Sequence, residues 1–180
     1  NIPNIKNVYE TFKNYFLKNG GLDSVDAIIK DIHKFSQYYT KISLEKETNK
    51  KLKQAFSDLN DLKVDVAYPF LLNVYDDFAQ NVIDEGIFLE ILNLIQSYVF
   101  RRFVCGIPTN SLNKTFANLY ESINKDDYLN SLQAQMVLME NYRKFPNDAE
   151  FTKELKEKDL YNIRNRNFWL RRFENFGRKE

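Results

Sequence analysis

Residues 84–108 read DEGIFLEILNLIQSYVFRRFVCGIP, and this run predicts a long helix at the centre of the fold. Its second half, up to about Cys105, is apolar on almost every side, which is typical of a helix surrounded by others. Gly106 can end the helix in a left-handed conformation, and Pro108 prevents its continuation. Thr109 or Asn110 is then placed to cap the next helix. The sequence therefore predicts a rigid corner between two helices.

Helical periodicity extends over most of the remaining chain. It predicts an antiparallel pair of helices before and after Gly20-Gly21, with Ser24 capping the second one. Residues 63–69 are too short for a sheet strand before Pro69 and are expected to form an extended connector. The other predicted helices lie at about 48–62, from Pro69, from the Thr109/Asn110 cap to Ile123, at 127–142, in a short segment from Asp148 and at 160–176.

These patterns predict an all-α fold, an irregular multi-helix bundle of about eight or nine helices. Only 5 Gly and 4 Pro occur in 180 residues, too few to separate the many short strands of a sandwich or barrel. The length suits one domain over residues 1–180, with the only candidate subdivision near 63–69. The chain opens with Asn1 rather than Met, which favours a fragment of a longer protein.

Charge and hydropathy exclude some classes of protein as a whole. Lys and Arg number 26 against 25 Asp and Glu, so the net charge near +1 favours neither a general nucleic-acid binder nor a membrane-surface protein. The longest apolar stretch, Ile87–Val99, is interrupted by polar residues, which predicts no membrane partner. A single cysteine, Cys105, excludes an internal disulfide and is compatible with a reducing compartment. We expect a cytoplasmic protein.

Residue types that perform catalysis are scarce in this chain. His33 is the only histidine and has no second metal ligand at suitable spacing, so a structural or surface role is the simpler interpretation. Cys105 lies near Arg101 and Arg102, which would favour a thiolate, yet no histidine is near it in sequence. Packing inside the protein explains Cys105 more simply.

Paired acids and glycines do not supply a site either. Asp76-Asp77 and Asp126-Asp127 are adjacent residues, which point about 100° apart on a helix and so do not converge on one ion. Stabilisation of helix starts is the simpler role for them. Gly20-Gly21 lacks the downstream Lys and Ser/Thr of a phosphate-binding loop. The sequence predicts that this chain is not an enzyme and holds neither a metal nor a cofactor.

Two basic segments are the strongest candidates for a functional role in this sequence. Arg101 and Arg102 come late in the central helix, where they either complement the negative helix end or contact a partner. The C-terminal segment mixes basic and aromatic residues, which suits contact with a nucleic-acid backbone. It equally suits an amphipathic helix that buries its aromatic residues while its arginines stay in water. Its basic residues are Arg164, Arg166, Arg171, Arg172, Arg178 and Lys179.

The run 98–114, YVFRRFVCGIPTNSLNK, resembles the signature of the GmrSD-type modification-dependent restriction endonucleases of bacteria. The segments 63–72 (KVDVAYPFLL), 145–151 (FPNDAEF) and 170–175 (LRRFEN) agree with it, so the resemblance covers most of the chain. It implies a larger plan in which a ParB-like, nucleotide-responsive domain precedes this helical region and an HNH-type nuclease domain follows it. The chain lacks the motifs of both activities, so neither is carried onto a residue here.

The expected function is therefore a non-catalytic scaffold or coupling module of a bacterial DNA-defence protein, with those flanking domains as its partners. The alternative is an autonomous DNA-binding module that uses its basic, aromatic C-terminal helix. The candidate residues for contact with a flanking domain are Arg101, Arg102, Asn110 and Asn113. The candidate residues for contact with DNA are Arg164, Arg166, Arg171 and Arg172.

Overall fold

The structure, a computed structural model, describes residues 5–163 and 165–177. Every regular element in these ranges is helical and none is a strand, which confirms the predicted all-α class. The α-helices are α1 (Val8–Lys18), α2 (Val25–Ser43), α3 (Lys50–Leu62), α4 (Tyr68–Ala79), α5 (Glu85–Val104), α6 (Leu112–Leu119), α7 (Tyr128–Val137), α8 (Asp148–Glu157) and α9 (Arg166–Asn175). Short 3-10 turns join several of them.

Helix α5 lies at the centre, as its sequence predicts, and contacts α3, α4, α7 and α8. Its start is capped by Asp84, whose carboxylate accepts a hydrogen bond of 2.8 Å from the backbone N–H of Ile87. Its end is also as predicted, because Gly106 adopts the left-handed conformation that ends the helix. The apolar residues that α5 buries are Phe88, Ile91, Leu92, Ile95, Tyr98, Val99 and Val104.

A single cluster of buried side chains surrounds α5. Helix α3 contributes Leu52, Phe56 and Leu59 on the face that the sequence predicts. Aromatic rings interlock at the centre, where the Phe56 and Phe88 ring centroids lie 5.9 Å apart. Each fully buried Phe or Leu contributes roughly 1.5–3 kcal/mol relative to an exposed one, so this cluster is the main source of stability. Helices α4, α6 and α7 also contribute to it, as do Ile42 of α2 and Phe168 of α9.

The connector before α4 differs from the prediction. Residues Asp65–Ala67 form a 3-10 turn rather than an extended segment, and α4 begins directly after it. The turn places Val64 and Ala67 on the same side, where both are buried in the central cluster. Pro69 is tolerated because it occupies the first turn of α4, where its missing N–H is not needed.

Two predicted helix caps are wrong. The Ser24 hydroxyl donates to the carbonyl of Gly21 at 3.0 Å and does not cap α2. Helix α6 begins after the 3-10 turn Thr109–Ser111, so neither Thr109 nor Asn110 caps it. A 3-10 turn leading into a helix satisfies some of the free N–H groups at its start, and this removes the need for a side-chain cap.

Two helices are shorter than predicted. Helix α7 ends at Val137, and the chain after it turns toward the corner, where the carbonyl of Tyr142 accepts a hydrogen bond from Arg102. Helix α9 begins at Arg166 rather than near residue 160. The carboxylate of Asp159 accepts from the backbone N–H groups two and three residues later, at 3.0 and 3.2 Å, and holds a turn there.

The predicted antiparallel pairing of the first two helices is not what the structure shows. Helix α1 has no buried residue and packs mainly against the turn Gly21–Ser24. Apolar side chains of α1, such as Tyr9 and Phe12, remain exposed. Helix α2 instead packs against α3 and α4, and Ile42 is its one fully buried residue. The apolar stripes of α1 and of the first half of α2 therefore lie at the surface.

Candidate functional site

Arg102, from the predicted contact set, is a buried residue with only 1% of its surface exposed. Its Nη1 donates to the Tyr142 carbonyl at 2.8 Å and to the Tyr98 hydroxyl at 3.3 Å. Its Nη2 donates to the Pro108 carbonyl at 2.8 Å and to the Ser111 hydroxyl at 2.9 Å. The guanidinium also lies 5.1 Å from the centre of the Tyr98 ring. Neutral oxygens and a ring face thus surround this charge.

These contacts make Arg102 the junction of three segments: α5, the corner at 106–111, and the chain after α7. A buried charge is unfavourable unless hydrogen bonds replace its water, and here carbonyl and hydroxyl oxygens do so at both Nη atoms, whereas the buried Nε has no hydrogen-bond partner. Arg102 is therefore not exposed for direct contact with a flanking domain in this structure. Its position near the helix end indicated a surface cation, but the corner folds back over it.

The neighbouring Arg101 points in another direction and is only partly buried. Its Nη1 lies 2.6 Å from a carboxylate oxygen of Asp148 and 3.2 Å from the Pro146 carbonyl. Its guanidinium also lies 5.0 Å from the centre of the Phe151 ring. Arg101 therefore connects the end of α5 to the start of α8. Because Asp148 is largely exposed, this ion pair is accessible from the surface.

The two asparagines of the predicted contact set lie at the surface. Asn110 is exposed within the corner, and Asn113 is exposed in the first turn of α6. The Asn113 side chain accepts a hydrogen bond of 2.8 Å from the backbone N–H of Lys114. Both side chains are available to a neighbouring domain, and their role stays a prediction.

The arginines of α9 turn toward the protein. Arg171 lies 2.5 Å from a carboxylate oxygen of Asp58 and 2.7 Å from one of Asp61, both on α3. Arg172 reaches the other oxygen of Asp58 at 3.3 Å and also donates to the side-chain oxygen of Gln96 on α5. These two residues connect α9 to the body of the protein. Both therefore already have acidic partners within the protein, with which a DNA phosphate would have to compete.

The remaining basic residues of the C-terminal segment, of which Arg164 and Arg166 belong to the predicted DNA-contact set, divide between surface and undescribed positions. Arg166 is exposed at the start of α9. Arg164, Arg178 and Lys179 lie outside the residues that the structure describes. Phe168 is buried, as the amphipathic interpretation of this helix predicts. Among the described residues of α9, Arg166 and Arg172 are exposed and Arg171 is half-buried, and both Arg171 and Arg172 are paired with Asp58.

Asp58 is a residue that the sequence interpretation missed. The side of α3 away from Leu52 and Leu59 was expected to be solvated, yet Asp58 is buried beneath α9. A signal did exist, because position 58 is three residues after the buried Ala55 and four before the buried Leu62. An acid at such a position indicates a cation on the element that covers it.

Asp77 is a second missed residue and the centre of a polar cluster. Its carboxylate accepts hydrogen bonds from the Tyr128 hydroxyl at 2.6 Å, the Tyr120 hydroxyl at 3.0 Å and the ammonium group of Lys125. Burial and donation to Asp77 raise the pKa of Tyr128, so its phenol stays a hydrogen-bond donor. The cluster connects α4 to the chain around the start of α7.

The predicted role of Asp76-Asp77 in stabilising a helix start is wrong, because both residues lie near the end of α4. They do diverge as adjacent residues of a helix should. Asp76 faces α2, where its oxygens lie 3.1 Å from the Lys34 ammonium group and 3.2 Å from the Tyr38 hydroxyl. Asp77 instead faces the chain around the start of α7. The two acids therefore connect α4 to different helices.

Glu47 forms a third buried polar contact, between the start of α3 and α4. One oxygen accepts from the backbone N–H groups of Thr48 and Asn49 at 2.7 and 3.0 Å. The other accepts from the Tyr75 hydroxyl at 2.5 Å. Burial alone would raise the pKa of Glu47, but these hydrogen bonds and nearby Lys41 outweigh burial and lower that pKa.

The stability of the protein should therefore depend on Glu47 in acid. Because the pKa of Glu47 is lower in the folded state than its ordinary value near 4.5, its carboxylate stabilises the fold above pH 4.5. That stabilisation is lost as the pH falls through the lower, folded pKa. Urea unfolding should be measured at pH values from 7 down to 3. We expect the difference in the free energy of unfolding between the unaltered protein and Glu47→Gln to become smaller as the pH falls. The exposed Glu121→Gln is the control, and an equal pH dependence for all three proteins would contradict this assignment.

The residues considered for catalysis lie apart. His33 is exposed, and its ring Nε2 lies 2.8 Å from the side-chain nitrogen of Gln37. Cys105 is half-buried, and burial together with Glu150 and Glu154 raises the pKa of its thiol, which disfavours a reactive thiolate. Across residues 5–163 and 165–177, no three His, Cys, Asp or Glu residues gather as a metal site would require. The prediction of a non-catalytic chain stays a prediction.

Comparison of the chain with protein-family models, curated proteins and solved structures gives no match. The resemblance around residues 98–114 therefore stays an expectation drawn from the sequence. Within the described part of the chain, none of the helices combines the length and the apolar character needed to cross a bilayer.

Proposed function

We propose that this chain is a non-catalytic helical scaffold or coupling module of a bacterial DNA-defence protein. One observation carries the proposal: the buried charged side chains connect helices that are distant in sequence. Arg102 joins α5 to the corner and to the chain after α7, Asp77 joins α4 to the region of α7, and Asp58 joins α3 to α9. Because these charged groups form contacts within the protein, they favour a rigid scaffold that holds other domains in fixed positions.

The cellular context of the proposal rests on the resemblance at 98–114. The structure supplies a physical role for that run, since Arg102, Gly106, Pro108 and Ser111 are the parts that build the corner. Asn110, which lies in the same corner, remains exposed. We infer that this corner contacts a flanking nucleotide-responsive or HNH-type domain in the cytoplasm, with Arg101 and Asn113 beside it.

The alternative, direct DNA binding by α9, is less well supported. Phosphate contacts need arginines that are free of internal anions, because each contact gains free energy by releasing counterions from DNA. Arg171 and Arg172 are instead paired with Asp58. The exposed Arg166 is the α9 arginine that remains best placed for such a contact.

Titration with labelled duplex DNA separates these two functions. The purified 180-residue chain is mixed with plain and base-modified duplexes at low and at moderate salt. We expect no binding that weakens steeply with salt, since few free cations face outward on α9. Binding that falls steeply with salt and disappears in Arg166→Ala would overturn the scaffold proposal and support the DNA-binding module.

The coupling role is tested in a polypeptide that carries the flanking domains which the resemblance implies. Asn113→Glu should leave nucleotide hydrolysis intact and lower nucleotide-dependent DNA cleavage by about fivefold or more, the size of a typical coupling between sites. Asn118→Glu, at another exposed asparagine of α6, is the matched control. Hydrolysis and cleavage that stay unchanged in both variants would count against the corner as the contact.

A further inference from the structure

An apolar groove lies between α8 and α9 and over the second half of α5. Its volume is about 660 Å³, which is within the usual range for binding pockets of roughly 300–1,000 Å³. Aromatic and leucine side chains form its walls, and polar groups occur mainly at one end. The apolar residues that line it are Phe100, Phe151, Leu155, Leu160, Phe168, Trp169, Phe173 and Phe176.

The walls of this groove are held in place by contacts among themselves. The Phe100 ring lies 5.2 Å from the Phe168 ring and 6.1 Å from the Phe151 ring, centroid to centroid. The indole N–H of Trp169 donates to the carbonyl of Leu160 at 2.7 Å, which fixes the orientation of the indole. Preformed walls lower the entropy lost when a partner binds.

The mouth of the groove exposes large aromatic side chains. Phe173 is 74% exposed and Phe176 is 89% exposed, although both line the groove. Helix α8 has no fully buried residue, so Phe151 and Leu155 are covered only in part. Contiguous apolar surface that faces a concave pocket is typical of a binding site for another polypeptide.

The groove continues past Arg172 into a polar pocket of about 540 Å³. Asn93, Arg172 and Phe176 line both regions, so a single ligand can span them. In this pocket the anionic side chain is buried and the cationic side chains are more exposed. The Asp58 side chain is only 8% exposed, whereas those of Arg171 and Arg172 are 34% and 47% exposed. Lys51 is also exposed there, so a partner meets cations first.

We propose that this groove binds an amphipathic peptide segment of a partner protein, with large apolar residues at one end and acidic residues at the other. The apolar side chains occupy the trough beside Trp169 and Phe173, as a helix does when it lays its apolar face into a groove. The acidic residues lie against the exposed Lys51, because opposite charges on the two surfaces set the orientation of binding.

A peptide fits this surface better than a single-stranded nucleic acid does. Bases bind on open faces of aromatic rings, but Phe100 is packed between the rings of Phe151 and Phe168. Leu155 and Leu160 supply aliphatic walls, which favour aliphatic or aromatic side chains over polar bases. The chain also has a net charge of only +1.

Selection from a phage-displayed library of random 16-residue peptides, on the immobilised 180-residue chain, tests the proposal. The recovered peptides should share two or three large apolar residues within two helical turns, followed or preceded by Asp or Glu. A labelled synthetic peptide of the recovered sequence serves as the probe for fluorescence anisotropy. Failure to recover any binding peptide, or recovery of peptides rich in Lys and Arg, would overturn the proposal.

Two variants locate the binding. Phe173→Ala should weaken the probe about tenfold, as loss of an aromatic anchor does, and Lys51→Glu should weaken it by a factor of about three to ten. Tyr9→Ala and Lys53→Glu are the matched controls, because each is exposed but lies outside the groove. Unchanged affinity in Phe173→Ala, or tighter binding of an oligothymidine probe than of the peptide, would show that the groove is not this site.

Discussion

Replacement of Arg102 by alanine is expected to lower the free energy of unfolding by about 3–5 kcal/mol, the range for loss of a large buried and hydrogen-bonded side chain. The substitution leaves a cavity at the end of α5. It also leaves the Pro108 carbonyl and the Ser111 hydroxyl oxygen without the donor Arg102, while the Tyr142 carbonyl keeps only its hydrogen bond from the Ser111 hydroxyl. Unpaired buried acceptors add to the loss of packing.

Urea denaturation followed by circular dichroism and by the fluorescence of the single tryptophan, Trp169, measures this effect. Arg102→Lys should recover little of the stability, because an ammonium group cannot reach carbonyls on two segments as the planar guanidinium does. Arg101→Ala is the matched control and should lose about 1 kcal/mol or less, since its partner Asp148 is exposed. Equal losses for the two alanine variants would contradict the buried junction.

Asp77→Ala is the second substitution with a large expected effect, a loss of about 2–4 kcal/mol. The Tyr128 hydroxyl is buried and would have no acceptor in its place. The ammonium group of Lys125 would lose its carboxylate, although its side chain is 43% exposed and can recover water. That exposure places the expected loss below that for Arg102.

The control for this substitution is Asp126→Ala, at an exposed acid near the same cluster, which should change stability by less than about 0.5 kcal/mol. A double-mutant cycle with Tyr128→Phe then isolates the contact between the two residues. We expect the two substitutions together to cost less than the sum of their separate effects. Additive effects would mean that the hydrogen bond between Tyr128 and Asp77 contributes nothing.

Much of the helical framework could be predicted because helix formation and amphipathic spacing are local properties of the chain. The run 84–108 predicts α5, its central position and its end at Gly106, and all three are confirmed. The buried face of α3 follows in the same way from Leu52, Phe56 and Leu59. Errors collect at helix ends, where a 3-10 turn or an Asp159 turn competes with the helix for the same backbone groups.

The environments of the polar residues in the candidate site could not be predicted in this way. Two adjacent residues of the same type differ there in burial or in the helices that they contact. Arg101 is only partly buried while Arg102 is fully buried, and Asp76 and Asp77 face different helices. Nothing in the local composition distinguishes the members of such a pair. The distinction depends on which elements cover each side of a helix.

The spacing of residues along the chain thus determined the helical class, the central place of α5 and the apolar faces of the surrounding helices. Only the packed structure decided which charges became buried and which partners they found. Arg102 contacts the carbonyl of Tyr142, 40 residues away, and Asp58 contacts Arg171, 113 residues away. Hydrophobic periodicity carries no information about such distant pairs, because a buried charge is stabilised by whatever donors or acceptors the tertiary fold brings within a few ångströms.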